Sequence, residues 1–216
     1  MNEEKFVMPE EIIRKAKVLP VILMLDVSGS MVNAPIRTLN ESVRQMLETF
    51  KNSETVNAEI KVCTVTFGGE VKKNPLTSVN EIQWNDLSAN GNTPLGGAIK
   101  AVREIIEDKE QIPSMGYRPT IILVSDGVPT DDWESEFRQF LESRRASKCQ
   151  RLALGIGITE GNPQYQLLKS FVSEGENVFL GDVSEITKFF KYATMSVTTR
   201  TKSVNPNVVP KISPYD

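Results

Sequence analysis

Two segments of this chain share one pattern. Residues 21–25 (Val-Ile-Leu-Met-Leu) are apolar without a break and stop at Asp26, which leads into Val-Ser28-Gly-Ser30. Residues 120–124 (Thr-Ile-Ile-Leu-Val) stop in the same way at Ser-Asp126-Gly. An unbroken apolar run of strand length is what a parallel strand needs when both of its faces are buried. A carboxylate at the end of such a strand is costly unless something compensates its charge. A divalent cation is the expected compensation at both strand ends.

The spacing of apolar residues alternates between strand and helix. After the strand at 18–26, Ile36, Leu39, Val43, Met46, Leu47 and Phe50 mark a helix that tolerates Pro35 in its first turn. Residues 60–67 form a strand, and Gly68-Gly69 turns it into a short charged hairpin partner at 70–73, a sensible protected edge. Residues 74–92 are mostly loop. Thr93-Pro94 opens a helix whose stripe is Leu95, Ile99, Val102, Ile105 and Ile106. Beyond the strand at 120–124, Thr130 caps a helix with Asp131, Asp132 and Glu134 in its first turn and Trp133, Phe137, Phe140 and Leu141 on its inner face. A strand at 152–158, a helix at 164–173, a strand at 178–180 and a helix at 184–199 complete the pattern.

This alternation predicts an α/β fold. The expected form is a doubly wound, Rossmann-like, mainly parallel six-stranded sheet with one antiparallel edge strand and helices on both faces. The expected domain spans residues 18–200, behind a lead-in segment at 1–17 (helical from 9) and ahead of a flexible, proline-containing tail at 201–216. With strand order 3-2-1-4-5-6 the order reverses between strands 1 and 4. Asp26 and Asp126 then end neighbouring strands, ~5 Å apart, at the crevice where such sheets bind ligands.

Composition narrows the chemistry. A chain of 216 residues suits one domain. It has no histidine, which excludes Ser-His-Asp and Cys-His catalysis and most zinc sites. A net charge of −3 carries no footprint for nucleic acid. Its two cysteines, Cys63 and Cys149, sit in apolar runs and read as buried free thiols of a reducing compartment. The first residues lack the pattern of a signal peptide, and the run at 18–25 is far short of the ~20 residues that span a bilayer. The expectation is a cytoplasmic protein without a membrane span.

Asp26, Ser28 and Ser30 offer three hard oxygen donors. Asp126 supplies a fourth, and the Thr93 hydroxyl reaches the same point from the start of its helix. Magnesium takes about six oxygens in an octahedron and usually keeps several waters. Gly29 lets the first loop turn sharply enough to aim both serines inward. One position is left for water or for a carboxylate from outside.

These residues resemble the metal-ion-dependent adhesion site of von Willebrand factor A domains. The matching positions are Asp26-Val-Ser28-Gly-Ser30, Thr93 within Gly-Asn-Thr-Pro-Leu-Gly-Gly, and Asp126-Gly. The resemblance covers roughly residues 18–197. The longer forms Asp-x-Ser-Gly-Ser-Met and Ser-Asp-Gly-x-Pro-Thr-Asp look most like the bacterial TerY-type proteins of tellurium-resistance and stress operons. The resemblance implies binding of Mg²⁺ (or Mn²⁺ or Ca²⁺) through those five residues. It implies a partner protein that adds a Glu or Asp to the metal, and no catalysis. It also implies kinase or phosphatase operon partners in a signalling or stress-response complex. Some relatives continue into a cysteine-rich module that this chain lacks, so partners chosen by that module are not implied.

Other readings of the same residues stay open. Asp and Ser at a strand end can simply bond their own backbone, and Thr93 can be only a helix cap. Asp131 and Asp132 read better as a charged helix start than as a second metal site. Met31, Leu95, Pro129 and Trp133 are candidates for an apolar rim. Gly155-Ile-Gly157 lacks the rest of a dinucleotide fingerprint. A Mg²⁺-dependent phosphohydrolase with Asp26 as nucleophile is the alternative function. Ser28, standing where a second acid would be wanted, argues against it. A scaffold recognised through its tail is a third reading.

Overall fold

A computed structural model of the protein describes residues 16–55 and 58–209. The strands are β1 (Lys17–Asp26), β2 (Ala58–Gly68), β3 (Glu70–Lys73), β4 (Thr77–Ser78), β5 (Thr120–Ser125), β6 (Gln150–Ile156) and β7 (Phe179–Gly181). The helices are α1 (Ala34–Lys51), α2 (Leu95–Glu107), α3 (Trp133–Glu142), α4 (Pro163–Phe171) and α5 (Val183–Lys202).

The sheet runs β3-β2-β1-β5-β6-β7. The β2·β1, β1·β5, β5·β6 and β6·β7 pairs are parallel, and β3 is antiparallel to β2. This is the expected order, with its reversal between β1 and β5. The sheet has seven strands rather than six, because β4 also pairs antiparallel with β2. The cause is the length of β2. β3 covers only Val65 to Gly68, and β4 returns to cover Lys61 and Val62. Between them Asn74 bonds the Thr64 carbonyl through its backbone N–H and the Thr64 hydroxyl through its side chain.

The unbroken apolar run of β1 divides by parity. Val21, Leu23 and Leu25 belong to the core under α1 and α5, and Ile22 and Met24 to the core under α2, α3 and α4. Successive strand residues point to opposite faces, so a strand covered on both sides has no polar position to spare.

Several element boundaries differ from expectation. Of the expected helix at 9–17, residues 9–15 lie outside the described residues, Ala16 is not helical and Lys17 already begins β1. α2 starts at Leu95, with Pro94 in the cap position, so Thr93 stands outside the helix and does not cap it. α3 is capped by Asp132, whose carboxylate accepts from the Ser135 N–H, rather than by Thr130. Leu141 faces solvent instead of the core.

Thr201 and Lys202 close α5 rather than opening a tail. Arg200 is fully buried and donates to the carbonyls of Pro206 and Arg118 and to the Thr120 hydroxyl, at 2.7, 2.6 and 2.5 Å. The Asn207 side chain accepts from the Arg118 N–H. These bonds turn the chain back under the start of β5.

Candidate metal centre

β1 ends at Asp26 and β5 at Ser125, one residue before Asp126. The β1·β5 register pairs Leu25 with Val124. Asp26 is therefore opposite Ser125, and Asp126 lies just beyond its strand. Both Asp26 and Ser125 have the parity that faces α2.

Asp26 is fully buried. Its Oδ1 accepts from the Ser28 N–H at 2.8 Å and its Oδ2 accepts from the Ser125 hydroxyl at 2.6 Å. The Ser28 and Ser30 hydroxyls lie 3.1 Å apart, and Ser30 Oγ donates to Asp126 Oδ1 at 2.7 Å. The two carboxylates and two serines thus form one cluster across the ends of β1 and β5.

Thr93 joins from the other side. It is buried, and its hydroxyl lies beside Gly127: a Cβ built on that glycine would sit 3.0 Å from Thr93 Oγ1 and 3.7 Å from Asp26 Oδ2. A side chain at 127 would crowd the Thr93 hydroxyl and stand in contact with the Asp26 carboxylate. The Thr93 carbonyl accepts from the N–H groups of Leu95 and Thr130, which ties α2 to the loop after β5. The first loop is fixed in a similar way, with the Gly29 N–H donating to the Gly91 carbonyl at 2.9 Å.

Asp131 fills neither role foreseen for it. Its two oxygens accept from the Gly96 and Gly97 N–H groups, each at 2.8 Å. It satisfies the free donors at the start of α2 from a distant loop, as a cap would from within the chain. Sequence reasoning also missed Ser125 as a participant. Its position directly before Asp126 was the available signal.

The expected apolar rim is half core, with Pro129 and Trp133 only partly buried. Met31 is fully buried and Leu95 nearly so, whereas Val32 and Val128 are exposed beside the site loops.

Burial raises the Asp26 carboxyl above its usual range. Hydrogen bonds from Ser125 and Ser28 oppose that rise, and the nearby Asp126 charge adds to it. Burial also raises Asp126, opposed by its bond from Ser30. Among the described residues neither carboxylate forms an ion pair with a Lys or Arg. Two such carboxylates and three hydroxyls make an all-oxygen donor set, the chemistry suited to a hard divalent cation. Among the described residues no group of three or more His, Cys, Asp or Glu side chains is arranged to hold a metal ion, and no helix is long and apolar enough to cross a membrane.

Comparison with known proteins agrees with this architecture. The family model for the von Willebrand factor type A domain matches residues 21–192. No curated protein sequence matches significantly. Among solved structures, the pilus adhesin SpaC from Lactobacillus rhamnosus GG superposes with a TM-score of 0.68 at 13% identity, covering 87% of this chain and 31% of that one. Proximal thread matrix protein 1 from the mussel byssus, with a zinc-occupied MIDAS motif, gives 0.60 at 18% identity, covering 83% and 48%. The vWF domain of the type V pili tip protein Mfa5 from Porphyromonas gingivalis gives 0.63 at 10% identity, covering 85% and 96%. The chain spans about half of the byssus protein and a third of SpaC. At these identities the structures speak for the fold, while the family match covers most of the sequence. The chain belongs to the von Willebrand factor type A domain family.

Proposed function

We propose that this chain is a metal-dependent protein-binding module. Asp26, Ser28, Ser30, Thr93 and Asp126 hold a divalent cation, directly or through water, and a Glu or Asp of a partner protein completes its coordination. Mg²⁺ is the first choice for an all-oxygen set, with Mn²⁺ and Ca²⁺ as alternatives. The observation that carries this reading is the fully buried Asp26 carboxylate, which has hydroxyl and amide partners but no cationic side chain among the described residues. A buried charge left in that state calls for a counter-ion. Three of the five donors are neutral hydroxyls, so the ion keeps an appetite for a further anionic oxygen.

The zinc-occupied MIDAS of the byssus protein supports a divalent ion at such a site. The pilus adhesin SpaC supports an adhesive role. The motif likeness to TerY-type proteins supports a partner from a bacterial stress-response or kinase-phosphatase complex. Two buried free thiols, Cys63 and Cys149, support a cytoplasmic setting.

The test is a pulldown from lysate with Mg²⁺ and again with EDTA, repeated with Asp26→Ala and Thr93→Ala. Capture of a protein that is lost in EDTA and in both folded variants supports the reading. Capture that persists in EDTA refutes it.

A further inference from the structure

Asn90-Gly91 is the only Asn-Gly pair in the chain, and it lies in the segment that fastens the first site loop. The Asn90 N–H donates to the Val27 carbonyl at 2.7 Å, and the Gly29 N–H donates to the Gly91 carbonyl at 2.9 Å. Those two bonds flank Ser28. A third bond, from the Gly69 N–H to the Asn92 carbonyl at 2.9 Å, ties the same segment to the turn between β2 and β3.

The pair has the chemistry of self-modification. Asparagine is a labile side chain, because its carboxamide carbon is an electrophile that the next backbone nitrogen can reach to close a five-membered ring. A glycine in the next position has no Cβ to shield that nitrogen. Both residues are exposed here. Among the described residues the Asn90 carboxamide makes no hydrogen bond and the Gly91 N–H has no acceptor, so neither has a bond to give up. Gly91 stands at φ 75°, a conformation that favours glycine, so the residue that activates Asn90 is also the one the turn requires.

We propose that Asn90-Gly91 is a deamidation site whose isoaspartyl product loosens the loop that carries Ser28. The Gly91 nitrogen loses its proton to solvent base and bonds to Asn90 Cγ. The bond from Cγ to the amide nitrogen breaks, and ammonia leaves with a proton from water. Water then opens the resulting succinimide at either carbonyl. One product has an ordinary aspartate at position 90, and in the other the main chain runs through the former side chain. One water is consumed and one ammonia released, with no change of oxidation state.

The second product lengthens the main chain by one carbon, about 1.5 Å. The packing has no slack for it: a Cβ built on Gly91 would lie 2.6 Å from Gly69 Cα. The bonds to Val27 and Gly29 cannot both survive the added carbon. The modification is independent of the metal, whereas its effect on metal affinity rests on the function proposed above.

The experiment warms the full chain at mildly alkaline pH, beside a sample in urea and beside Asn90→Asp, which supplies the new charge without the extra carbon. Peptide mass spectrometry should show exchange of amide for acid at position 90 in the folded chain. The isoaspartyl form, separated by ion exchange, should exchange its Gly29 amide hydrogen about tenfold faster than the native chain, the worth of one lost bond. It should also bind Mg²⁺ about tenfold more weakly. Asn90→Asp should match the native chain in both. Position 90 left intact in the folded chain while it deamidates in urea, or an isoaspartyl form whose Gly29 exchanges at the native rate, overturns the proposal. A native chain that binds no Mg²⁺ would refute the metal reading alone, because the mass and exchange results decide this one.

Discussion

The Ser125 hydroxyl donates to Asp26 Oδ2 across the β1–β5 boundary at 2.6 Å. This bond orients the one fully buried carboxylate of the site and leaves Asp126 free to reach Ser30 from the loop beyond. Ser125→Ala removes the donor and leaves the Asp26 oxygen short of a partner. The expected cost is about 1–3 kcal/mol of stability without metal, measured by urea unfolding. Metal affinity should weaken by about 10–100-fold, as for other partners that orient ligands.

Gly127 controls the approach of Thr93. Its backbone is not in the left-handed region, so alanine is compatible with the local conformation. The added methyl would meet Thr93 Oγ1 at 3.0 Å. Gly127→Ala should therefore lower metal affinity about tenfold while changing metal-free stability by less than about 1 kcal/mol. Calorimetric metal titration together with a thermal melt checks both halves.

Asp131 tests the coupling between the loop after β5 and α2. Asp131→Ala leaves the Gly96 and Gly97 N–H groups without their carboxylate acceptor. A loss of about 1–2 kcal/mol is expected, the range of a lost helix cap. Hydrogen exchange should quicken at the start of α2 and leave α5 unchanged.

The cysteines give a pH prediction. Burial pushes Cys63 and Cys149 up to about 12 from an ordinary 9.0. The folded chain holds these protons where the unfolded chain releases them. The associated stability is thus intact below pH 9 and lost as pH rises from 9 towards 12. In native protein at pH 8.5 neither thiol should react with iodoacetamide over the time in which both react in urea. Mass spectrometry counts the adducts.

Much of this was legible in the chain itself. The unbroken apolar run at residues 21–25 announced a strand covered on both faces, and the hairpin at Gly68-Gly69 supplied the antiparallel edge of its sheet. Asp26, Ser28 and Ser30 were readable because they are close in sequence. What escaped depended on contacts between distant segments. Asp131 accepts from the Gly96 N–H, 35 residues earlier in the chain, a separation that no local spacing rule reaches. Asp126 falls one residue past its strand because the β1·β5 register sets Ser125 opposite Asp26. β4 was read as loop because two residues carry no periodicity, and its pairing follows from how much of β2 remains uncovered by β3.

The central claim is that five oxygen-bearing side chains form one divalent-cation site. Isothermal titration of Mg²⁺ into the metal-free chain, compared with Asp26→Asn and Thr93→Val, tests it most directly. The account predicts one site per chain in the native protein and loss of binding in both variants, with their far-UV circular dichroism unchanged. Native affinity retained by both folded variants would contradict it.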